Sequence, residues 1–501
     1  MIKNTLLVVL ILSAGYLAAQ NEFITTWQTD NPGSSTSTEI TIPTFGGGFS
    51  YDVDWDNDGT FDEFGITGNV THDFGSAGTY TIRIQGSFPS IYFNLTGDRE
   101  KILSVDQWGT NAWTTFNRAF WGCSNMHVLA ADAPVLTGCT SLSLIFTGCQ
   151  VMNEDLSSWN VGNITNFYGT FGDCFAFNQP LASWDVSSAT NMSSMFLSTD
   201  FNQDISGWDV SGVGNFSFMF RNATDFNQDI SGWNTSSAAD FKEMFRLASN
   251  FDQDLGQWDV SGVTNATHMF RSVTLSTANY DALLIGWNAQ TLQSGVTFSG
   301  GNSLYCSSWA ERDNMINSDG WIITDNGSAG PTPDIISLTD VNSACDVNTL
   351  VFPTATDNCA PGVTVTNNAV FPITEGTTVV TWTYTDSHGG FSTQDQTIIV
   401  DDITAPVGDL ASLADVLDVC DVTSLVAPTG NDECASIVAV TNDAVFPITE
   451  GTTIVTWTYD DGHGNTSTQM QNVIVDDITA PVGDLASLAD VLDVCDVTSL
   501  V

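Results

Sequence analysis

The chain has 501 residues, 58 Asp and Glu against ten Lys and Arg, and a formal net charge of -48. So acidic a chain excludes nucleic acid, which needs basic patches, and disfavours direct attraction to anionic lipid. Its length calls for several domains.

Lys3, the apolar run Leu6 to Leu12 and the small residues up to Ala18 and Ala19 read as a secretory signal peptide over residues 1–20. The run is too short to span a bilayer, and nothing later in the chain is apolar enough to do so. The expectation is a secreted or bacterial cell-surface protein with no direct membrane insertion.

Residues 21–97 are rich in Thr, Gly, Phe and Tyr, and TYTIRIQG (Thr79 to Gly86) alternates as a strand with one buried face. In DWDNDGTFDE, Asp54, Asp56 and Asp58 alternate before Gly59, as carboxylates converging on calcium would, with Asp62 or Glu63 closing a shortened loop. Gly65 stands where an EF-hand has its Glu, so an acidic, solvated β-turn is the other reading. THDFGSAGTYTIRI (Thr71 to Ile84) resembles the closing hairpin of PKD-type β-sandwich domains. The resemblance implies a turn at Gly75 to Gly78 with Tyr80 packed inward.

From residue 98 to 275 a phrase of about 25 residues recurs roughly seven times, most clearly as FNQDISGWDVSGVGNFSFMF (Phe201 to Phe220). Its closing phenylalanine falls at Phe120, Phe146, Phe171, Phe196, Phe220, Phe245 and Phe270, and its tryptophan at Trp159, Trp184, Trp208, Trp233 and Trp258. This period predicts a solenoid, whose turns bury their apolar faces only against one another. The phrase resembles the leucine-rich repeat of the BspA family of bacterial surface proteins. The resemblance implies an exported adhesion protein with an extracellular protein or glycan ligand, and no chemistry.

Three columns of the repeat carry polar or reactive groups. Cys123, Cys149 and Cys174 occupy a slot that later turns fill with Thr199, Ala223, Ala248 and Val273, so packed thiols are expected, with a bridge between turns the alternative. The states of Cys139 and Cys306 stay open. Asn178, Asn202, Asn227 and Asp252 align, as do Asp185, Asp209 and Asp259, and such columns satisfy main-chain groups at the bends. Arg221, Arg246 and Arg271 directly follow their phenylalanines and form a basic row, a candidate contact for an acidic ligand or a local neutraliser of Asp columns. Residues 276–327 read as the C-terminal cap, with a short helix over Ala310 to Asn317.

After Pro331 and Pro333 a second repeat has a period of 75 residues: Cys345, Cys420 and Cys495 fall one period apart, as do Cys359 and Cys434. ATDNC (Ala355 to Cys359), VFPITEGTT and the DITAP junctions are similar to hyalin-repeat (HYR) domains of immunoglobulin-like fold. The predicted units are 328–403, 404–478 and a truncated third at 479–501. Two cysteines per unit in an exported protein give Cys345–Cys359 and Cys420–Cys434 as the expected disulfides. Asp401, Asp402, Asp476 and Asp477 at the junctions are calcium candidates or hydrated turn formers.

No H-E-x-x-H, phosphate-binding glycine loop or nucleophile elbow occurs, so no enzyme is expected. The fold expected is mainly β and multidomain: a β-sandwich, a leucine-rich-repeat-type solenoid and tandem immunoglobulin-like sandwiches. The function expected is adhesion or ligand binding through the solenoid face, with the C-terminal domains as a stalk. A carbohydrate-binding accessory of a polysaccharide-degrading system is the alternative, favoured if aromatics are exposed on that face.

Overall fold

The computed structural model describes residues 21–435 and 437–482; the expected signal peptide, most of the third unit and Cys495 lie outside the described residues. The chain is mainly β and multidomain, and divides into two compact units. The first comprises residues 1–331 with 357–362 and 385–391, and the second the remainder from residue 332. Among the described residues no helix is long and apolar enough to cross a membrane.

The first unit opens with eight strands: β1 (Phe23–Gln28), β2 (Glu39–Ile42), β3 (Ser50–Asp54), β4 (Glu63–Ile66), β5 (Val70–Asp73), β6 (Thr79–Ser87), β7 (Ile102–Gln107) and β8 (His127–Val128). Six form one sheet in the order β4-β3-β6-β1-β7-β8, and β2 pairs with β5 alone. The hairpin expected from Thr71 to Ile84 is therefore not made. Ile82 and Ile84 are buried on β6, which binds it between β3 and β1, while β5 pairs with β2, whose Ile40 and Ile42 are fully buried. The chain crosses between sheets at Gly75 to Gly78, and half-buried Tyr80 stacks on Phe74 at 3.8 Å. Nor does the sheet stop at residue 97, because β7 and β8 belong to it and one apolar core runs from Phe23 to Trp321.

Beyond β8 the chain coils with the period of the sequence. Single parallel bridges link Ser141, Asn166, Asn191, Asn215, Asp240 and Asn265 in succession. Each repeat phenylalanine stacks on the next, from Phe120–Phe146 at 6.0 Å to Phe245–Phe270 at 5.4 Å. A second stack runs through Phe177, Phe201, Phe226 and Phe251. Trp159, Trp184, Trp208, Trp233 and Trp258 are at most 4% exposed and form the opposite part of the core.

The wall carrying the phenylalanines is not a ladder of extended strands. Residues two before and two after the phenylalanine are left-handed in turn after turn, for example Phe218 (φ 61°) and Asn222 (φ 59°), or Glu243 (φ 53°) and Leu247 (φ 65°). From Arg118 to Leu247 their N–H groups, with that of the phenylalanine between them, donate to the following turn: Phe218 to Lys242, Phe220 to Met244, Asn222 to Arg246. Side chains in this conformation cost roughly 1–2 kcal/mol each, offset from Arg118 to Leu247 by these hydrogen bonds from the bend amides. Side-chain oxygens of Asn166, Asn191, Asn215, Asp240 and Asn265 fix the start of each bend by accepting from the N–H two residues on.

The coil closes on α1 (Thr277–Asn288), β9 (Thr297–Ser299), α2 (Trp309–Asn317) and β10 (Ile322–Thr324), with β9 and β10 parallel. Helix α2 is the helix expected from Ala310. Buried Asp281 on α1 accepts from the N–H groups of Cys306, Ser307 and Ser308, tying the next loop to the helix. Gly286 lies so close to Gly256 that an added Cβ would stand 2.0 Å from its oxygen.

The C-terminal modules repeat one design. In the first, β11 (Thr332–Pro333) pairs with β13 (Ala355–Thr356), and β12 (Val341–Ser343), β16 (Phe391–Val400), β15 (Gly376–Thr385) and β14 (Thr364–Asn367) form a sheet in that order. In the second, β17 (Val407–Gly408) pairs with β19 (Gly430–Asn431), and β18 (Val416–Asp418), β22 (Thr466–Val475), β21 (Gly451–Asp460) and β20 (Ala439–Asn442) repeat the four-stranded sheet. Trp382 and Tyr384, then Trp457 and Tyr459, are buried in the respective cores, and their polar atoms are met by Gln396, Gln394, Gln471 and Gln469.

The expected disulfides are not formed. Cys359 bonds to Cys306, and Cys434 bonds to Cys345, while Cys420 is free and exposed. The reason is proximity: the second cysteine of each module meets a cysteine from an earlier stretch of chain, with Cα atoms 4.5 and 4.8 Å apart, inside the bonding range.

Candidate functional site

The wall of the coil has one variable face. The residue directly after each phenylalanine is Trp121, Thr147, Gly172, Leu197, Arg221, Arg246 and Arg271 in successive turns. Other columns are committed to holding the coil together. The Oδ1 of Asn178 accepts from the Asn202 N–H at 2.9 Å, that of Asn202 from Asn227 at 3.0 Å, and that of Asn227 from Asp252 at 2.9 Å. Asp185, Asp209 and Asp259 accept from the N–H two residues on. Hydrogen bonds from Ser187, Ser211 and Ser261 hold these carboxyls below the usual carboxylate range.

The basic row is real as a column but is not three free guanidinium groups. Glu243, which the sequence reading passed over, lies between two of them, 3.4 Å from Arg221 and 2.8 Å from Arg246. Burial opposes its charge, yet the Arg246 hydrogen bond and the charges of Arg221, Arg246 and Lys242 hold its carboxyl low. Arg221 and Lys242 both lie over the Phe218 ring, at 5.7 and 5.3 Å from its centre. Arg271 is exposed.

At the other end of this face lies a groove of about 660 Å³, lined by the first turns. Its aromatic side chains are Trp121, Tyr168 and Phe175, the last two 40% and 48% exposed. Gly122, Gly148, Gly169 and Gly172 belong to its lining, and Arg99, Glu100, Gln150 and Asp173 supply polar groups. Arg99 and Glu100 are ion-paired at 2.8 Å, and the buried residues Asp98 and Lys101 anchor their turn. Burial holds the Asp173 carboxyl above its ordinary value. The sequence hid this groove because its aromatics sit at different columns of different turns, outside the repeated beat.

The acidic loop brings Asp54, Asp56 and Asp58 together, with oxygens within 4.8 Å of one another. Those oxygens already serve the loop: Asp54 accepts from the N–H groups of Asp58 and Gly59, Asp58 from Thr60, and Asp62 from Trp55. At the junction inside the second unit the adjacent carboxylates part company. Asp402 is buried and within reach of Asp461 and His463, whereas Asp401 is exposed. Asp476 and Asp477 are both exposed, and Asp477 accepts from Thr479. Paired ligation by Asp401 with Asp402 is therefore not assembled; Asp461 and His463 are the neighbours instead.

The four coil cysteines are buried free thiols. The Cys149 and Cys174 thiols donate to the oxygens of Phe120 and Phe146 at 3.4 and 2.8 Å, and burial pushes Cys139 up to about 11.

The coil matches a family. Residues 92–200 and 183–283 fit the model described as Mycoplasma protein of unknown function, DUF285. That match corrects the assignment to BspA-type leucine-rich repeats, and the one-directional wall of left-handed bends agrees with the correction. The PKD label falls with the missing hairpin, and the HYR label with the cysteine pairing. Similar solved structures include Drosophila N-cadherin EC1-4, 13% identical over 31% of this chain and 51% of that one, with a TM-score of 0.17. Human Protocadherin-24 EC1-2 is 15% identical over 30% of this chain and 99% of that one, at a TM-score of 0.15. This chain thus spans about half the length of the N-cadherin fragment, and at such TM-scores the likeness carries no conclusion for it. No curated protein matches the chain.

Proposed function

We propose that the chain is a non-enzymatic, secreted or surface-displayed binding protein of adhesion type, whose coil presents the ligand face and whose C-terminal modules space it. The observation that carries this reading is the contrast between columns of the coil. Asn, Asp and Trp columns repeat because each is bonded to an adjacent turn or bend, whereas the column from Trp121 to Arg271 carries five residue types over seven turns and faces outward in part. Freedom to vary on a rigid scaffold is what binding surfaces need. Two disulfides support an oxidising compartment outside the cytoplasm.

Arg221, Arg246 and Arg271 are the proposed contacts for an anionic extracellular ligand at the C-terminal end of the face. The test is an array of matrix proteins and glycans probed with the chain and with its Arg221→Gln, Arg246→Gln, Arg271→Gln variant. Loss of a parental interaction in the variant, at an unchanged melting temperature, supports the reading. Identical profiles would remove the basic row from it. Calcium at Asp54, Asp56 and Asp58 is a separate proposal, and an unchanged melting temperature in calcium and in chelator would withdraw it.

A further inference from the structure

We infer that the groove at the start of the coil is a saccharide subsite that takes the pyranose rings of a neutral glycan. The inference rests on the ligand-face reading above and names the ligand class for its N-terminal half.

The glycines decide the shape. Two residues after the phenylalanine, the successive turns carry Gly122, Gly148, Asp173, Ser198, Asn222, Leu247 and Ser272, all left-handed with φ of 52–85°. The conformation alone therefore does not demand glycine, because five other residues hold it. What Gly148 supplies is the absence of a side chain where one would fit: an added Cβ would meet only the Gly122 backbone, at an ordinary 3.5 Å. A side chain fits there, and its omission leaves the trough open.

The trough has the chemistry of a sugar site. A pyranose has flat C–H faces that stack on aromatic rings, and a rim of hydroxyls that need paired donors and acceptors. Tyr168 and Phe175 expose their rings to the groove, and Asp173, Gln150 and the Arg99–Glu100 pair stand around them. Its volume of about 660 Å³ lies within the 300–1,000 Å³ typical of ligand clefts. A neutral ligand fits better than an acidic one. The chain carries a net charge of -48, and the groove's own charges, Arg99 against Glu100 and Asp173, offer no cationic surplus.

The experiment titrates the full chain with cellohexaose, laminarihexaose, mannohexaose and xylohexaose, following binding calorimetrically. At least one should bind, and Tyr168→Ala with Phe175→Ala should weaken it ten-fold or more. Gly148→Asn should do the same by filling the trough, since Asn222 holds the equivalent position. The triple Arg→Gln variant should bind these neutral oligosaccharides as the parent does. Melting temperatures of all variants should match the parent. Failure of all four hexasaccharides to bind, or undiminished binding by the aromatic variant, overturns the inference. A chain that ignored every oligosaccharide but bound a matrix protein through the basic row would overturn the sugar site and leave the adhesion reading standing.

Discussion

The indole nitrogen of Trp208 donates to the main-chain oxygen of Leu181, in the preceding turn, at 3.0 Å. The same bond runs from Trp184 to Leu156, Trp233 to Ile205 and Trp258 to Ile230. It continues into the cap through Trp287 to Leu255 and Trp321 to Gln293. The tryptophan column is thus both core and clasp, and the cap carries it on past the last recognisable repeat. Trp208→Ala should cost about 3–5 kcal/mol, as for other large buried aromatics. Trp208→Phe should retain most of the packing and remove one of two hydrogen bonds to the Leu181 oxygen, which the Trp184 N–H still meets, at about 0.5–1.5 kcal/mol. Denaturant titration measures both, and equal stability of parent and Trp208→Ala would place the column outside the core.

Gly286→Ala tests how tightly α1 seals the coil. With the new methyl 2.0 Å from the Gly256 oxygen, the helix must lift away from that turn. Overpacking of this kind costs about 1–3 kcal/mol. An unaltered melting temperature would mean that α1 does not dock on Gly256.

Acid should loosen the coil in a defined window. Hydrogen bonds from the serine two residues on lower the carboxyls of Asp185, Asp209, Asp229 and Asp259 in the folded chain. A lowered folded value contributes stability above the unfolded value, about 3.9, and loses it as pH falls through the folded value. At high salt, where net repulsion is screened, the melting temperature should stay level from neutral pH to about 5 and fall below about 4. Ser187→Ala and Ser211→Ala should make that fall shallower. A curve identical to the parent's would show that these bonds do not set the acid response.

Peptide mapping without reduction should recover Cys306 joined to Cys359, Cys345 joined to Cys434, and Cys420 open to alkylation. Recovery of Cys345 joined to Cys359 would restore the pairing within one module. Cys434→Ser should lower stability by about 4–5 kcal/mol, the chain-entropy figure for so long a loop.

Periodicity made part of this molecule legible. Phe120 to Phe270 and Trp159 to Trp258 announced stacked turns because a stacked array must put like residues over like. The polar columns at Asn202 and Asp209 were readable for the same reason. Pairing across the fold was not. Nothing in TYTIRIQG states that β6 joins β1 and β3 rather than β5, and a fourteen-residue spacing does not reveal which sulfur is nearest. The groove was invisible on other grounds: Tyr168, Phe175 and Gly148 are exceptions to the repeat, and their meaning comes from what surrounds them. Glu243 was missed because a carboxylate in so acidic a chain draws no notice until two arginines are found around it.

The two disulfides close loops of 53 and 89 residues that overlap between Cys345 and Cys359. Under a pull along the chain, force entering at Cys306 crosses to Cys359, runs backwards to Cys345, and leaves through Cys434. Only those fourteen residues can lengthen, by at most about 50 Å at 3.3–3.6 Å per residue. Reduction would release the whole span from Cys306 to Cys434 and several hundred ångströms of slack. A chain routed this way resists stretching covalently, and its reach is set by the redox state of its surroundings.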